Sequence, residues 1–268
     1  MSWSLHRAAL LTHDLDVAAH FFGTLLGLGP ALPVDARTIA FGHPSRGLRV
    51  SRPALALARP AEALLGPAGA RHLAIEVADL PRVVARLEAA GLPVVPARPG
   101  EFETQAVFTL DPALNVVAFC QRGAAAPARF ASGWQLHHVN LEAKQVRDTV
   151  AFYTAMAEMP EGRWQAPAAM GNFSIDPSEL AVLPLADDNS GLHIIRPDPG
   201  FAFRNGFAHN PSLGGHPAFC VPDVLAVKAR LQAAGILVSD AKVYAMAGMH
   251  QIYVLDPSAN MIEVNQVV

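Results

Sequence analysis

The chain carries the same pattern twice, and this internal repeat restricts its fold more than any other feature of the sequence. Residues 71–94 and 215–238 agree at 12 of 24 positions when they are aligned without a gap. Two further matches flank these blocks in the same order, residues 5–22 with 136–153 and residues 107–121 with 252–266. The 268-residue chain is therefore predicted to be a tandem duplication whose halves meet near residues 123–132.

Each half also repeats a smaller unit, in which a strand and an amphipathic helix precede three more strands. The predicted elements of the second half are strands at 136–141, 173–175, 180–184, 192–195 and 216–221, helices at 146–156 and 224–234, and two closing strands. Gly235 is expected to end the last helix in a left-handed conformation, and Asn260 to accept positive φ in the final turn. The predicted fold class is α+β, with four βαβββ modules in two domains, residues 1–123 and 132–268.

The composition excludes several classes of protein. Apolar residues make up 51% of the chain and charged residues 16%, a balance opposite to that of a disordered chain. The formal net charge of −3 gives no basic surface for nucleic acid, and no apolar run reaches the ~18 residues of a membrane helix. Cys120 and Cys220 lie in separate apolar runs and are expected to be reduced, buried thiols. With no signal-peptide pattern at the start of the sequence, we expect a cytoplasmic protein.

Alternation along three predicted strands places ligand-type side chains on one face. In the strand 136–141 the bulky apolar residues share a face with His137, toward the helix, so His138 faces the other way. His216 likewise shares a face with small residues, and Glu263 alternates with apolar neighbours in the last strand. Each of the three strands thus presents one metal-ligating side chain on the side away from the helices.

Two imidazoles and a carboxylate form a ligand set for one divalent metal ion, with Fe(II), Mn(II), Ni(II), Co(II) and Zn(II) as candidates. Burying an unpaired glutamate costs several kcal/mol, and a divalent cation removes that penalty. In the first half the matching positions hold Arg7, His72 and Ala118, so the fold itself does not require these ligands. We therefore predict a metal site in the second half, no metal in the first, and a structural role for His72.

The motifs resemble those of a known family in three segments: LHHVNLEAKQVRDTVAFY, GGHPAFCVPDVLAVKARLQAAG and IYVLDPSANMIEVNQ. They are similar to the vicinal oxygen chelate superfamily, which includes glyoxalase I, fosfomycin-resistance enzymes, bleomycin-resistance proteins and type I extradiol dioxygenases. The resemblance covers nearly the whole chain and implies paired modules that curl into half-open barrels around a divalent metal. By this similarity the metal ligands fall on His138, His216 and Glu263.

Within the family the layout most resembles a type I extradiol dioxygenase, with four modules in one chain and the ligand set in the second half. The resemblance then implies oxygen-dependent cleavage of a catechol-like substrate at Fe(II), which is the function we expect first. Those enzymes carry a tyrosine ten residues before the ligand glutamate, and Tyr253 stands there, with a phenol suited to donate a hydrogen bond to a substrate oxygen. The acid–base histidine of that family is replaced by Tyr244, and His250 lies three residues before Tyr253 instead.

Two other functions stay open. A glyoxalase-like lyase or isomerase would use Zn, Ni or Co to hold the vicinal oxygens of an enediolate while a base, His193 or Glu263, moves a proton. His193 also stands where four-ligand glyoxalases have a further ligand. The third function is non-catalytic sequestration of an apolar ligand, as in bleomycin-resistance proteins, although sequestration would not need a converging ligand set.

Further candidates lie near the predicted site. His209 and His250 are candidate acid–base groups, and Trp164 and Phe173 are candidates for lining the substrate side. The phenylalanine-rich stretch 201–207 is a candidate lid or subunit-pairing edge, which leaves a homodimer open. The expected partner is a small molecule with vicinal oxygens, with no nucleic acid and no membrane.

Overall fold

The computed structural model describes residues 3–52, 72–100, 102–111, 115–123, 133–164, 176–186, 189–211, 214–244, 246–257 and 259–268. Within these residues the chain forms two mixed β-sheets, one in each half. The strand predicted at 173–175 lies outside the described residues.

The first half forms an eight-stranded sheet. Its strands are β1 (Trp3–Leu11), β2 (Leu32–Asp35), β3 (Thr38–Gly42), β4 (Gly47–Ser51), β5 (His72–Val77), β6 (Val95–Pro96), β7 (Ala106–Leu110) and β8 (Val116–Gln121). Its described helices are α1 (Leu15–Ala19), which continues into a π-helical segment at His20–Leu25, and α2 (Leu80–Ala89). The strands lie in the order β2-β3-β4-β1-β5-β8-β7-β6.

The second half forms a seven-stranded sheet. Its strands are β9 (Gln135–Glu142), β10 (Leu180–Pro184), β11 (Gly191–Ile195), β12 (His216–Cys220), β13 (Ser239–Lys242), β14 (Met249–Leu255) and β15 (Met261–Val267). Its described helices are α3 (Val146–Ala157), α4 (Phe201–Asn205) and α5 (Val224–Ala233). The strands lie in the order β10-β11-β9-β12-β15-β14-β13.

The modules are arranged in the same way in both halves. The first strands of the two modules pair antiparallel at the centre of each sheet, β1 with β5 and β9 with β12. On its other side each of these strands pairs in parallel with the last strand of its own module. The predicted α+β fold of paired βαβββ modules is therefore confirmed.

The helices begin and end where local chemistry predicts. The carboxylate of Asp223 caps the start of α5 by accepting from the backbone N–H of Ala226 at 2.9 Å. Gly235 follows α5 with a φ of +73°, as expected for a left-handed C-terminal residue. The longest described helix is α3 with 12 residues, and none of the described helices is long and apolar enough to cross a membrane.

The turn between β14 and β15 differs from the prediction. Positive φ occurs at Ala259, with a value of +62°, and not at Asn260. The side chain of Asn260 instead donates to a carboxylate oxygen of Asp256 and to the backbone carbonyl of Leu11, both at 2.8 Å. Asn260 therefore stabilises the turn and also links the two halves by its hydrogen bond to Leu11.

Each of the two large hydrophobic cores is shared between the two halves, although each sheet belongs to one half. In one core, α2 and the strands of its module pack with α3 and the strands of its module. In the other core, α1 and the strands of its module pack with α5 and the strands of its module. Arginines at equivalent places link these layers: Arg86 on α2 donates to the carbonyl of Met156 at 3.3 Å, and Arg230 on α5 donates to that of Leu25 at 2.9 Å. The two halves therefore complete each other's cores.

Candidate metal centre

Three ligand-type side chains meet at the centre of the second sheet. His138 lies on β9, His216 on β12 and Glu263 on β15, and these strands are neighbours in the sheet. The register sets Ala218 of β12 opposite both His138 and Glu263. The ligand atoms of the three residues all lie within 4.8 Å of one another, and all three residues are buried. The structure thus brings together the residues that we predicted as metal ligands.

The spacing of this trio fits a single divalent cation. Nε2 of His138 lies 3.3 Å from Oε2 of Glu263, and Nε2 of His216 lies 3.4 Å from the same oxygen. Two ligand atoms that are each ~2.1 Å from one ion, at angles of about 90–110°, are roughly 3.0–3.4 Å apart. The two measured distances are at the upper end of that range.

His138 and His216 each make a hydrogen bond through Nδ1, which leaves Nε2 of both rings directed toward Glu263. Nδ1 of His138 is 2.9 Å from Nδ1 of His137, and Nδ1 of His216 is 3.4 Å from the carbonyl oxygen of Gly214. A carbonyl only accepts, so Nδ1 of His216 donates, and in the neutral ring that a metal would bind, Nε2 carries the lone pair. Among the described residues that buried Nε2 has no hydrogen-bond partner. A lone pair next to a carboxylate oxygen is repelled unless a cation lies between them, and a divalent metal is such a cation.

Glu263 is held ionised although it is buried. Burial by itself raises the pKa of a carboxyl, but contacts with His138 and His216 hold the pKa of Glu263 well below its ordinary value. The other carboxylate oxygen, Oε1, accepts from the amide nitrogen of Gln251 at 2.9 Å and from that of Asn265 at 3.2 Å. The trio therefore offers a divalent metal one negative charge and two imidazoles.

A β-bulge places His137 beside the site. Strict alternation predicts that His137 faces the helix layer, but β9 skips this residue in its pairing with β12. The extra residue lets the His137 ring lie against that of His138, with centroids 5.2 Å apart. The prediction for His137 is therefore wrong. The same bulge occurs in the first half at His6, so it belongs to the repeated module.

His193 lies beside the trio but outside its group of ligand atoms. The residue is on β11, and its ring stacks on that of His138 at 3.9 Å with an interplanar angle of 21°. Its Nε2 lies 2.6 Å from the carbonyl oxygen of Asn189, so Nε2 donates and Nδ1 carries the lone pair. Burial, together with nearby His138, lowers the pKa of His193 well below its ordinary value. Because His193 is not among the ligand atoms that meet within 4.8 Å, the structure favours a neutral base here over a fourth ligand.

Tyr253 is next to the carboxylate of the trio. Its position on β14 pairs directly with Glu263 on β15, and its ring centroid is 5.8 Å from that of His216. The phenol oxygen accepts from the amide nitrogen of Gln251 at 3.1 Å. Burial, and then the charge of Glu263, raise the pKa of Tyr253 well above its ordinary value. The phenol therefore stays protonated and acts as a hydrogen-bond donor.

The structure does not bring His250 into the site. The register of β14 with β15 is continuous, so His250, three residues before Tyr253, lies on the opposite face of the strand. Its Nε2 is 2.8 Å from Oδ1 of Asp240, and the other carboxylate oxygen, Oδ2, accepts from Lys228 on α5. The geometry does not support the catalytic role predicted for His250. The odd spacing of three residues between His250 and Tyr253 already placed the two side chains on opposite faces of the strand.

His209 lies at the edge of the second sheet. Its backbone N–H donates to Oγ of Ser239 at 2.7 Å, and its Nδ1 lies 3.0 Å from the same oxygen. Ser239 on β13 pairs with Tyr253, and burial lowers the pKa of His209. These contacts anchor the loop of His209 next to β14. Within the described part of the chain, no hydrogen bond or ion pair joins His209 to the trio.

Three further residues contact the trio and were not predicted as part of the site: Gln251, Asn265 and His137. Gln251 lies two residues before Tyr253, and Asn265 two residues after Glu263, so alternation places each on the face of its neighbour. That signal was available for the two amides. No sequence signal marked the bulge that turns His137 toward the site.

The equivalent positions of the first half hold a different set of side chains. Arg7, the counterpart of His138, is fully buried, and its Nη2 lies 3.0 Å from Nε2 of His72. The ring of Phe102 covers the guanidinium at 4.0 Å, and Ala118 stands where the second half has its carboxylate. A permanently charged guanidinium repels a second cation at this position. That the first half binds no metal stays a prediction.

A small apolar cluster reaches His193, the neighbour of the trio, through Trp164. Cys220, Met246 and Met249 form a buried cluster, and Trp164 packs against it. The ring of Trp164 also meets that of His193 edge-on, with centroids 4.9 Å apart. Cys220 is buried and, like Cys120 of the first half, forms no disulfide among the described residues.

The phenylalanine-rich stretch forms the short helix α4 and the turn after it. Phe201 and Phe207 pack against the ring of Tyr244, with centroids 6.1 Å and 5.7 Å away, while Phe203 is 92% exposed. The role of the stretch 201–207 as a lid or as a subunit contact stays a prediction. Phe173 lies outside the described residues.

Comparison with family models matches residues 4–119 to the Glyoxalase/Bleomycin resistance protein/Dioxygenase superfamily. This segment is most of the first half, whereas the trio is in the second. Comparison with curated proteins gives no match.

Solved structures of similar fold extend over nearly the whole chain. The Mn(II)-bound glyoxalase from Novosphingobium aromaticivorans has a TM-score of 0.63 at 16% identity, over 99% of this chain and 81% of that one. The 2,3-dioxygenase LapB from Pseudomonas sp. KL28 has a TM-score of 0.67 at 16% identity, over 99% and 91%. Homoprotocatechuate 2,3-dioxygenase from Arthrobacter globiformis has a TM-score of 0.66 at 15% identity, over 98% and 79%. At these identities the likeness concerns the fold.

Proposed function

We propose that this chain is a metal-dependent extradiol-type dioxygenase, in keeping with the match of residues 4–119 to the Glyoxalase/Bleomycin resistance protein/Dioxygenase superfamily. In this proposal the metal is Fe(II), and the substrate is a catechol-like molecule with vicinal oxygens. The observation that carries the proposal is the convergence of His138, His216 and Glu263 within 4.8 Å in a buried site.

The number of ligands favours oxygen chemistry. Two histidines and one carboxylate that leave further coordination positions open are typical of non-haem Fe(II) oxygenases. His193 is not among the ligand atoms that meet within 4.8 Å, so in this proposal it leaves those positions open. A glyoxalase with four protein ligands would leave fewer positions for substrate and O2 together.

The neighbouring residues supply proton transfer and orientation. When bound, Fe(II) supplies open coordination positions and one-electron chemistry for the substrate oxygens and O2. His193 holds a lone pair at Nδ1, so it takes the proton of a substrate hydroxyl and returns it to the product. Tyr253 accepts from Gln251 at its oxygen, which directs its own proton to an acceptor in the site, either Glu263 or a substrate oxygen. The ring of Trp164 meets that of His193 edge-on and places an apolar side chain beside this base.

Oxygen uptake on a metal-loaded protein tests this proposal. We expect the chain loaded anaerobically with Fe(II) to consume O2 when catechol or an alkyl-substituted catechol is added, and the Zn(II)-loaded chain to consume none. The repeat offers a matched control: His216→Ala removes metal retention and oxygen uptake, whereas His72→Ala, at the equivalent place in the first half, leaves both intact. Equal loss from both variants contradicts the placement of the site.

A glyoxalase-like lyase or isomerase is the second candidate. The neutral, buried His193 next to ligand His138 favours it, because proton transfer on an enediolate needs a base and no oxygen. Turnover with Zn, Ni or Co and without oxygen consumption would support this candidate. A chain that rejects added metal and still binds an apolar ligand would instead support sequestration.

A further inference from the structure

Two amide side chains hold the carboxylate of Glu263 by its outer oxygen. Gln251 and Asn265 both donate to Oε1, at 2.9 Å and 3.2 Å, while Oε2 faces His138 and His216. The register places Gln251 of β14 directly opposite Asn265 of β15, so the two amides reach the carboxylate from neighbouring strands. One oxygen of Glu263 is thereby fully engaged by protein donors.

The repeat shows that the fold does not need these amides. The positions equivalent to Gln251 and Asn265 in the first half hold Ala106 and Cys120, which also pair with each other across their strands. Both are buried with Ala118, the counterpart of Glu263, in a small apolar cluster. The amides thus occur in the half that has the carboxylate, and small apolar side chains fill the same places where it is missing.

Neutral donors suit a carboxylate that has to bind a metal. An amide orients a carboxylate through hydrogen bonds and leaves its negative charge in place, whereas a guanidinium would cancel that charge. The buried Glu76 of the first half is an example of the second arrangement, since Arg46 approaches its Oε1 to 2.8 Å. Glu263 keeps its charge for a divalent cation because Gln251 and Asn265 are neutral.

The amides are retained at a cost to stability. Oε1 of Gln251 and Oδ1 of Asn265 are buried and, within the described part of the chain, have no hydrogen-bond partner. Each buried acceptor left in this way is unfavourable, and its presence asks for a functional reason. Packing gives none, because the first half fills the same places without polar atoms.

We propose that Gln251 and Asn265 are positioning residues that fix the carboxylate of Glu263 so that Oε2 alone is presented to the metal. This inference rests on the proposed function, because it requires that the trio binds a divalent cation. A carboxylate that ligates through one oxygen leaves one more coordination position for substrate or O2 than a carboxylate that ligates through both. Gln251 and Asn265, which together form a clamp on Glu263, therefore orient the carboxylate and keep a coordination position open.

Titration of the metal-free full-length chain with Co(II), followed by the visible absorption of the bound ion, tests the clamp without any substrate. Gln251→Met and Asn265→Leu keep the side-chain volume and remove the donors. We expect each to weaken Co(II) binding by roughly 10-fold, since removal of outer partners of a ligand costs ~10–100-fold in affinity. We also expect a changed Co(II) spectrum, because a released carboxylate alters the coordination of the ion. If Asn265→Leu does not fold, Asn265→Ala makes the same test.

The matched control is Gln266→Met. Gln266 is adjacent to Asn265 on β15, but its amide oxygen accepts from the backbone N–H of Val224 at the start of α5. This variant should lower stability and leave the Co(II) affinity and spectrum unchanged. Unchanged affinity and spectrum in Gln251→Met and the Asn265 variant would overturn the clamp while the wild-type chain still binds metal. If these variants bind Co(II) more weakly but the wild type takes up no oxygen, only the proposed function is overturned. If the wild type binds no metal, both the proposed function and the role of Gln251 and Asn265 are overturned.

Discussion

Neutralising Glu76 gives a quantitative test of the electrostatics of the first half. This carboxylate is buried at 4% exposure, accepts from the hydroxyl of Ser4 at 2.8 Å, and lies 3.2 Å from His6 and 2.8 Å from Arg46. Burial alone raises the pKa of a carboxyl, but the bonds from His6 and Ser4 and the charge of Arg46 outweigh it and lower the pKa of Glu76 from 4.5 to about 2. The folded state therefore prefers the ionised form.

The magnitude follows from the pKa difference. At about 1.4 kcal/mol per pKa unit, a fall from 4.5 to about 2 corresponds to about 3 kcal/mol of folding free energy. Because the pKa is lower in the folded state, this stabilisation is complete above about pH 5 and is lost as the pH falls toward 2. By pH 3 about 2 kcal/mol of the contribution of Glu76 should be gone.

The assay compares urea unfolding of the wild type and the Glu76→Gln variant at pH 6 and pH 3, followed by tryptophan fluorescence. Glutamine keeps the size of the side chain and does not titrate, so the carboxylates that both proteins share cancel in the comparison. We expect the stability advantage of the wild type to shrink by about 2 kcal/mol between the two pH values. An advantage that is the same at pH 6 and pH 3 would refute the reasoning.

Three further predictions concern single side chains. Gly191→Ala should destabilise the chain by roughly 3 kcal/mol in urea unfolding, because φ is +127° and the added Cβ would overlap the carbonyl oxygen of Leu183; wild-type stability would contradict this. Tyr153→Phe should lower stability by about 1–2 kcal/mol in thermal unfolding, since it removes a buried hydrogen bond to Asp111 at 3.2 Å; an unchanged melting temperature would show that the bond is neutral. Tyr253→Phe should retain Co(II) affinity and lower kcat by roughly 10- to 100-fold with the active substrate, and an unchanged kcat would remove Tyr253 from the catalytic set.

The fold was predictable because its signals are local and occur twice. Strands and helices follow from hydrophobic periods of two and 3.6 residues. The repeat supports each predicted element by a second copy of it in the other half. The same alternation placed His138, His216 and Glu263 on one face before their strands were known to be neighbours. Applied with equal strictness, it would also have excluded His250, which lies an odd number of residues from Tyr253.

The sequence by itself determined the module order, the α+β class and the faces of the strands, because each depends on residues a few positions apart. The tertiary structure alone decided the bulge at His137, the sharing of the two large cores between the halves and the hydrogen bonds of Gln251 and Asn265 to Glu263. A bulge shifts a side chain to a new face with no change in composition, so alternation misses it. Core sharing and the clamp depend on which distant strands and helices become neighbours, and that choice is made by burial over the whole chain.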